Sequence, residues 1–271
     1  MITFPAAKIN IGLQVLGKRE DGFHDLNTIF YPIPFFDALE VINDDSSEDI
    51  LLTQTGFKLD TTESTNLVAK AYYLLKEKHP EIKGAHVHLH KSIPAGAGLG
   101  GGSSDAASML KLLNDCFALN LTKEQLSVYA LTLGSDCPFF IYGKPSLAQG
   151  RGEKLTEINL DLTPYDILIV NPGIHISTAW AFSQLQKFSK PALLEQHVLQ
   201  PVSEWKQSIV NDFEMPVGQA HPEIRETIDL LYNAGAMYAS LTGTGSTVYG
   251  IFKKDEKPPI NLPTTYFIRW C

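Results

Sequence analysis

Between residues 94 and 107 the chain reads PAGAGLGGGSSDAA, with five glycines and two adjacent serines in fourteen residues. The segment before it, AHVHLH, reads as a strand, and the segment from Ser103 as a helix that carries Ala106, Leu110, Leu113 and Phe117 on one face. Glycine loses more conformational freedom on folding than any other residue, so a loop this rich in it needs a compensating reason. Where a loop opens a helix, free main-chain N–H groups and the positive end of the helix dipole converge, and bare backbone lets a ligand come close. The expected occupant is an anion, with the hydroxyls of Ser103 and Ser104 in reach of it.

The remaining composition narrows the setting. At 271 residues the chain exceeds one ordinary domain. Lys plus Arg number 22 against 30 Asp plus Glu, a formal charge of −8, and no basic cluster tracks a polynucleotide backbone, so nucleic acid is not an expected partner. No segment approaches the roughly 20 continuous apolar residues that cross a bilayer. The opening MITFPAAKIN lacks a basic region followed by an apolar run, so no membrane partner is expected and the cytoplasm is the expected compartment. Cys116, Cys137 and Cys271 are odd in number and widely spaced, which indicates neither a disulfide framework nor a zinc knuckle.

Strands and helices mix irregularly, which favours an α+β fold over a steady βαβα alternation. KINIGLQVL and ALEVIN read as strands, and residues 66–78 as a helix with Leu67, Ala71, Leu74 and Leu75 on one side. After the glycine loop and its helix, the capping box Thr122-x-x-Gln125 starts another helix that ends at Gly134. Asp136 follows in GSDCPFFIY, between that helix stop and an expected strand. The polar run LTEINLDLTP reads as a junction, placing a domain boundary near residues 155–160. YDILIVNPG then reads as a strand, Pro222 to Asn233 as a helix, YASLTGTGSTVYGIF as strand, turn and strand, and TTYFIRW as a last strand.

Gly96, Gly98 and Gly101 satisfy G-x-G-x-x-G, but a dinucleotide fold opens with that unit and places an acidic residue about 20 positions on, after the next strand. Here roughly eighty residues come first and the next element is helical. No Lys-Ser or Lys-Thr follows the last glycine, as a Walker loop requires, and no H-R-D or D-F-G set marks a protein kinase.

PAGAGLGGGSSDAA resembles the second motif of the GHMP kinase superfamily, which includes galactokinase and the homoserine, mevalonate and phosphomevalonate kinases. AAKINIGLQVLGKREDGFHDL and the late LTGTGSTVYGIF resemble its first and third motifs. The matched blocks lie at residues 6–30, 91–107, 134–140, 171–182 and 240–250, and their longer form is similar to a member group whose acceptor alcohol carries cytidine diphosphate. The resemblance implies a two-domain α+β GHMP kinase fold, with a ribosomal-S5-like domain over 1–157 and a ferredoxin-like domain over 158–271. It also implies ATP as phosphoryl donor with Mg²⁺, a small-molecule substrate carrying cytidine diphosphate, and a monomer or weak homodimer.

The same resemblance assigns roles. Lys8 and Asp136 become the catalytic pair, Asp136 orienting or accepting the hydroxyl proton and Lys8 beside it stabilising developing negative charge. ATP falls to Asn66, Lys91 and the run Pro94, Ala95, Gly96, Ala97, Gly98, Leu99, Gly100, Gly101, Gly102, Ser103 and Ser104. Substrate falls to Asn10, Phe23, His24, Phe30, Thr178 and Phe182. Of these, Phe23 and Phe182 would sandwich a cytosine, His24 would read its edge, and Phe30 would close over the alcohol. The family more often has tyrosine at the position of Phe23, so stacking is kept here and a hydroxyl is lost. No protein ligand for magnesium is assigned, and Asp105 reads as a first-turn acid favoured by the dipole. Gly243-Thr244-Gly245 either braces the phosphate loop, touches substrate phosphate or is a simple β-turn. His86, His88 and His90 alternate onto one strand face without an evident acidic or cysteine partner, which reads as a polar face and not a metal site.

Overall fold

The computed structural model describes residues 1–58 and 65–271. In chain order the first strands are β1 (Ile2–Thr3), β2 (Ala6–Lys18), β3 (His24–Phe36), β4 (Ala38–Asp44) and β5 (Ile50–Gly56). Helix α1 (Leu67–Lys78), β6 (Gly84–Lys91), α2 (Gly101–Cys116), α3 (Lys123–Leu133) and α4 (Cys137–Tyr142) follow. Then come β7 (Ser146–Gly150), β8 (Lys154–Glu157), β9 (Tyr165–Asn171), α5 (Thr178–Ser183), α6 (Leu194–His197), a 3₁₀ turn over Val202–Gln207, α7 (Glu214–Ala220) and α8 (Pro222–Asn233). Strands β10 (Tyr238–Leu241), β11 (Val248–Lys253) and β12 (Phe267–Trp270) complete the chain.

The backbone packs as two compact units, one of residues 1–7, 34–95 and 100–144, the other of residues 8–33, 96–99 and 145–271. This division by packing does not coincide with a single cut after residue 157. The physical reason is the long strand pair β2 and β3, which joins β7 and β8 in one sheet of order β2-β3-β7-β8 and so packs with later chain.

In the first unit a sheet of order β1-β4-β6-β5 is covered by α1 and α2. Helix α2 is buried almost all round, with Ala106, Met109, Leu110 and Leu113 fully inside, and each such large side chain contributes about 1.5–3 kcal/mol by leaving water. In α1 the buried stripe is Val68, Ala71, Tyr72 and Leu75, one step round from the expected one. Tyr72 tolerates burial because its hydroxyl donates to the Lys83 carbonyl at 2.9 Å. The capping box at Thr122 and Gln125 forms as its sequence implies.

CPFFIY is a helix, not the expected strand. Pro138 suits a first helical turn, Gly143 ends the helix with φ of +66°, and the Lys111 ammonium donates to the Phe140 carbonyl near its end. Those end signals outweigh the strand preference of Phe139, Phe140 and Ile141.

In the second unit a sheet of order β10-β11-β9-β12 lies against α8, whose Ile224, Thr227 and Leu231 recur at three and four residues. Leu168, Val170, Leu241, Val248 and Phe252 meet them in the core.

Candidate active site

In the second unit, three sequence motifs converge on the carbonyl of Gly98. Lys8, buried on β2, donates from Nζ to that oxygen at 3.2 Å and to Asn10 Oδ1 at 2.6 Å, and lies 5.0 Å from the centre of the Phe30 ring. Thr242 Oγ1 donates to the same carbonyl at 3.1 Å and accepts the Asn10 amide at 3.0 Å. Asn10 also donates from Nδ2 to Thr28 Oγ1. Only glycine fits position 98, where φ is +79° and an added Cβ would lie 2.1 Å from the Thr242 carbonyl oxygen. The 242–245 turn therefore braces the glycine loop at Gly98, and of the three roles open to Gly243-Thr244-Gly245 the bracing one has contacts behind it.

In the first unit, α2 begins at Gly101, two residues before the expected start, with Gly100 as a left-handed N-cap at φ +71°. No side chain at the N-cap accepts from the first-turn N–H groups of this helix. Ser104 is buried and Ser103 half-buried, which separates two hydroxyls that the sequence treats alike. The turn Gly134–Cys137 abuts this helix start. A Cβ on Gly134 would lie 3.3 Å from Cys137 Sγ and 4.0 Å from Ser103 Oγ, and burial pushes the Cys137 thiol up to about 12. Asp136 stands half-buried at the N-cap position of α4, yet its side chain makes no capping bond to that helix.

Lys91 is engaged in a way the sequence does not announce. Its ammonium is fully buried between the carboxylates of Asp37 and Asp105, with 2.7 Å to Asp105 Oδ2. Asp37 also accepts the amides of Ser92 and Ile93 at 2.6 and 2.9 Å. Together they staple the end of β6 to the start of α2, clasping the two feet of the glycine loop. Asp37 was not singled out by sequence reasoning, since a lone Asp between two apolar strands reads as a turn residue. Asp105 is not a solvent-facing first-turn acid but the third member of this buried group.

Asp105 Oδ1 has no hydrogen-bond partner, and burial pushes the Asp105 carboxyl up to about 7 against the pull of Lys91. A folded-state value above the unfolded one makes the native state hold the extra proton. Stability conferred by that proton is present at low pH and lost as pH rises from about 4 through about 7. Denaturant titrations of Asp105→Asn should show a flatter stability profile over that window than the natural chain; parallel profiles would contradict this account.

The substrate-side residues are placed separately. His24 stacks on Phe182 with ring centres 4.4 Å apart and planes 17° apart, and Phe182 meets Phe213 edge-on. Burial, then the nearby Lys18 charge, lowers the His24 pKa and favours its neutral form. Phe23 is 47% exposed and carries the Arg151 guanidinium on its ring. Among the described residues Phe23 and Phe182 form no direct ring pair. Thr178 is exposed at the start of α5, and Phe30 is buried. Asn66 caps α1, its Oδ1 accepting the Val68 amide at 2.9 Å. His86 does have an acidic partner, Asp44 at 3.1 Å, while His88 and His90 share the Thr55 hydroxyl at 2.9 Å each. Among the described residues no helix is long and apolar enough to cross a membrane, and no group of metal ligands assembles.

A glycine-led helix start beside an acid-bearing turn is an arrangement suited to holding a phosphate group. The model of the GHMP kinases N terminal domain matches residues 66–144 and that of the GHMP kinases C terminal matches residues 190–260; the chain belongs to the GHMP kinase family. Among its relatives, a protein of Bacteroides fragilis (strain YCH46) named 4-diphosphocytidyl-2-C-methyl-D-erythritol kinase is 48% identical over 258 residues, covering 95% of this chain and 94% of that one. A crystal structure of 4-(cytidine 5'-diphospho)-2C-methyl-D-erythritol kinase superposes with a TM-score of 0.79 at 30% identity, covering 93% of this chain and 90% of the other. A homoserine kinase from Cytophaga hutchinsonii shares the fold, with a TM-score of 0.66 at 15% identity and coverage of 93% and 86%.

Proposed function

We propose that the chain transfers the γ-phosphoryl group of ATP to the C2 hydroxyl of 4-diphosphocytidyl-2-C-methyl-D-erythritol, a step of the non-mevalonate route to isoprenoid precursors. The observation that carries the kinase chemistry is the uncapped, glycine-led start of α2 with the Asp136 turn against it. Likeness to relatives of that name supports the acceptor.

In this reading the hydroxyl oxygen bonds to the γ-phosphorus, the bond from phosphorus to the β,γ-bridging oxygen breaks, and ADP leaves. Asp136 takes the hydroxyl proton. Little covalent help is needed, and catalysis rests on alignment and charge neutralisation. Lys8, oriented by Asn10 and the Gly98 carbonyl, supplies positive charge where negative charge develops. The phosphates lie along residues 94–104, with Ser103 as the more accessible hydroxyl. Asn66 enters through its amide nitrogen, its oxygen being spent on Val68. Lys91 acts by clasping the loop, its ammonium being taken by Asp37 and Asp105. Magnesium arrives with the nucleotide as part of the substrate, because Asp105 is turned into the protein against Lys91.

Asn10, His24, Phe30, Thr178 and Phe182 make up the acceptor side, with Phe23. The cytosine lies between Phe23 and Phe182 with His24 at its edge, and stacking on an aromatic ring is worth about 1–3 kcal/mol per base. Phe182→Ala should therefore lower kcat/KM for the cytidine substrate about 5-fold to 150-fold and leave ATP affinity nearly unchanged. An ADP-release assay comparing the cytidine compound with homoserine, galactose and mevalonate tests the acceptor directly. Preference for any of the three over the cytidine compound rejects it. The same proposal includes a two-domain organisation over 1–157 and 158–271, a cytoplasmic location, and a monomer or weak homodimer without nucleic-acid or membrane partners. Sedimentation equilibrium checks the oligomeric state.

A further inference from the structure

Arg151 plays no part in the chemistry above, yet its placement is unusual. The β2–β3 hairpin ends in a turn over residues 19–23, closed by the Arg19 amide donating to the Phe23 carbonyl at 2.8 Å. Its charges are internally settled, with Arg19 bound to Asp21 at 3.1 Å and to Asp25 at 2.8 Å. Phe23 projects from that turn, and nothing in the hairpin's polar network fixes its ring. Pairing of Leu26 with Gly150 brings the β7–β8 turn alongside. There Gly150 and Gly152 take φ of +67° and +110°, and the Arg151 amide donates to the Glu153 carboxylate at 2.5 Å.

This turn delivers the Arg151 guanidinium onto the Phe23 ring, 3.6 Å from its centre, in van der Waals contact. The cost of that position is visible. Arg151 Nε is buried without a hydrogen-bond partner, and among the described residues no carboxylate lies within ion-pair distance of the guanidinium. A purely structural arginine in this place would be expected to pair with Asp21 or Glu153, both of which are spent on neighbouring groups. The side chain acts on Asp21 only through space, without an ion-pair contact, and keeps contact with a half-exposed aromatic face.

We propose that Arg151 is a positioning residue for the acceptor substrate: it holds the Phe23 ring as a fixed wall against which the planar pyrimidine packs. The guanidinium does for this phenylalanine what a hydroxyl anchor could do for a tyrosine, restricting an otherwise mobile exposed ring before the ligand arrives. Lysine cannot replace it, because a compact ammonium has no planar surface to stack. The inference rests on the proposed acceptor, so turnover of the cytidine compound by the natural chain is the first measurement. Absence of that turnover rejects the acceptor reading itself.

With turnover established, Arg151→Ala should raise KM for the cytidine substrate about 3-fold to 30-fold, the range expected from a cation–π contact, with kcat and the KM for ATP within about 2-fold. Arg151→Lys should recover less than half of the loss. In a Phe23→Leu background, removing Arg151 should cost nothing further, since there is no ring left to hold. Equal losses in both backgrounds, full rescue by lysine, or an unchanged acceptor KM in folded Arg151→Ala would each overturn the proposal. Melting temperatures of all variants, measured alongside, separate a positioning loss from unfolding.

Discussion

Asp136→Asn should lower kcat about 10²-fold to 10⁴-fold, the range over which a positioned general base contributes, with ATP affinity within about 2-fold of the natural chain. Asparagine keeps the shape of the side chain and removes its charge and basicity. Melting temperatures measured alongside separate a loss of chemistry from a loss of fold. Single-turnover phosphoryl transfer and calorimetric ATP titration measure the two halves of the expectation. A variant that turns over at the natural rate removes Asp136 from the mechanism, whatever the fate of the other residues.

Lys91→Met should be the most damaging single change to stability. It leaves Asp37 and Asp105 facing each other with side chains 0% and 2% exposed and no cation between them. Breaking a buried ion pair by removing one partner typically costs about 3–5 kcal/mol. The loss should shrink as pH falls, because without the ammonium the buried Asp105 carboxyl escapes the repulsion by taking up a proton. Urea midpoints at pH 5 and pH 8 test this: a loss that is small, or equal at the two pH values, contradicts the account of the clasp.

Much of this arrangement is legible in the sequence where backbone chemistry dictates it. The glycine loop declares itself, as do the capping box at Thr122 and the helix from Pro222, because glycine, proline and capping side chains act locally. Helix α4 misleads because its apolar residues favour a strand while its ends favour a helix, and six residues give periodicity nothing to work on. Strands β7 and β8 are hidden for the same reason, being short and flanking a turn whose only signal is Gly150-Arg151-Gly152. The residues that sequence reasoning overlooks, Asp37 and Arg151, act through long-range partners. Asp37 is 54 residues from Lys91, and Phe23 meets an arginine from a different hairpin. No local pattern encodes such meetings; they exist only once the sheets have formed.

The three donors and acceptors gathered at the Gly98 carbonyl have a consequence for how the chain comes to work. Lys8 is 90 residues from Gly98 and Thr242 is 144 beyond it, while Asn10 and Thr242 are 232 apart. Contacts across such spans close the longest loops and are among the last a chain can afford entropically. During synthesis from the N-terminus, the glycine loop emerges long before the turn that braces it. A nascent chain halted before Tyr238 would hold the lysine and the loop but not Thr242, the residue that ties them together. Competence for catalysis should then switch on late and abruptly, within the span of the final hairpin, instead of growing with chain length.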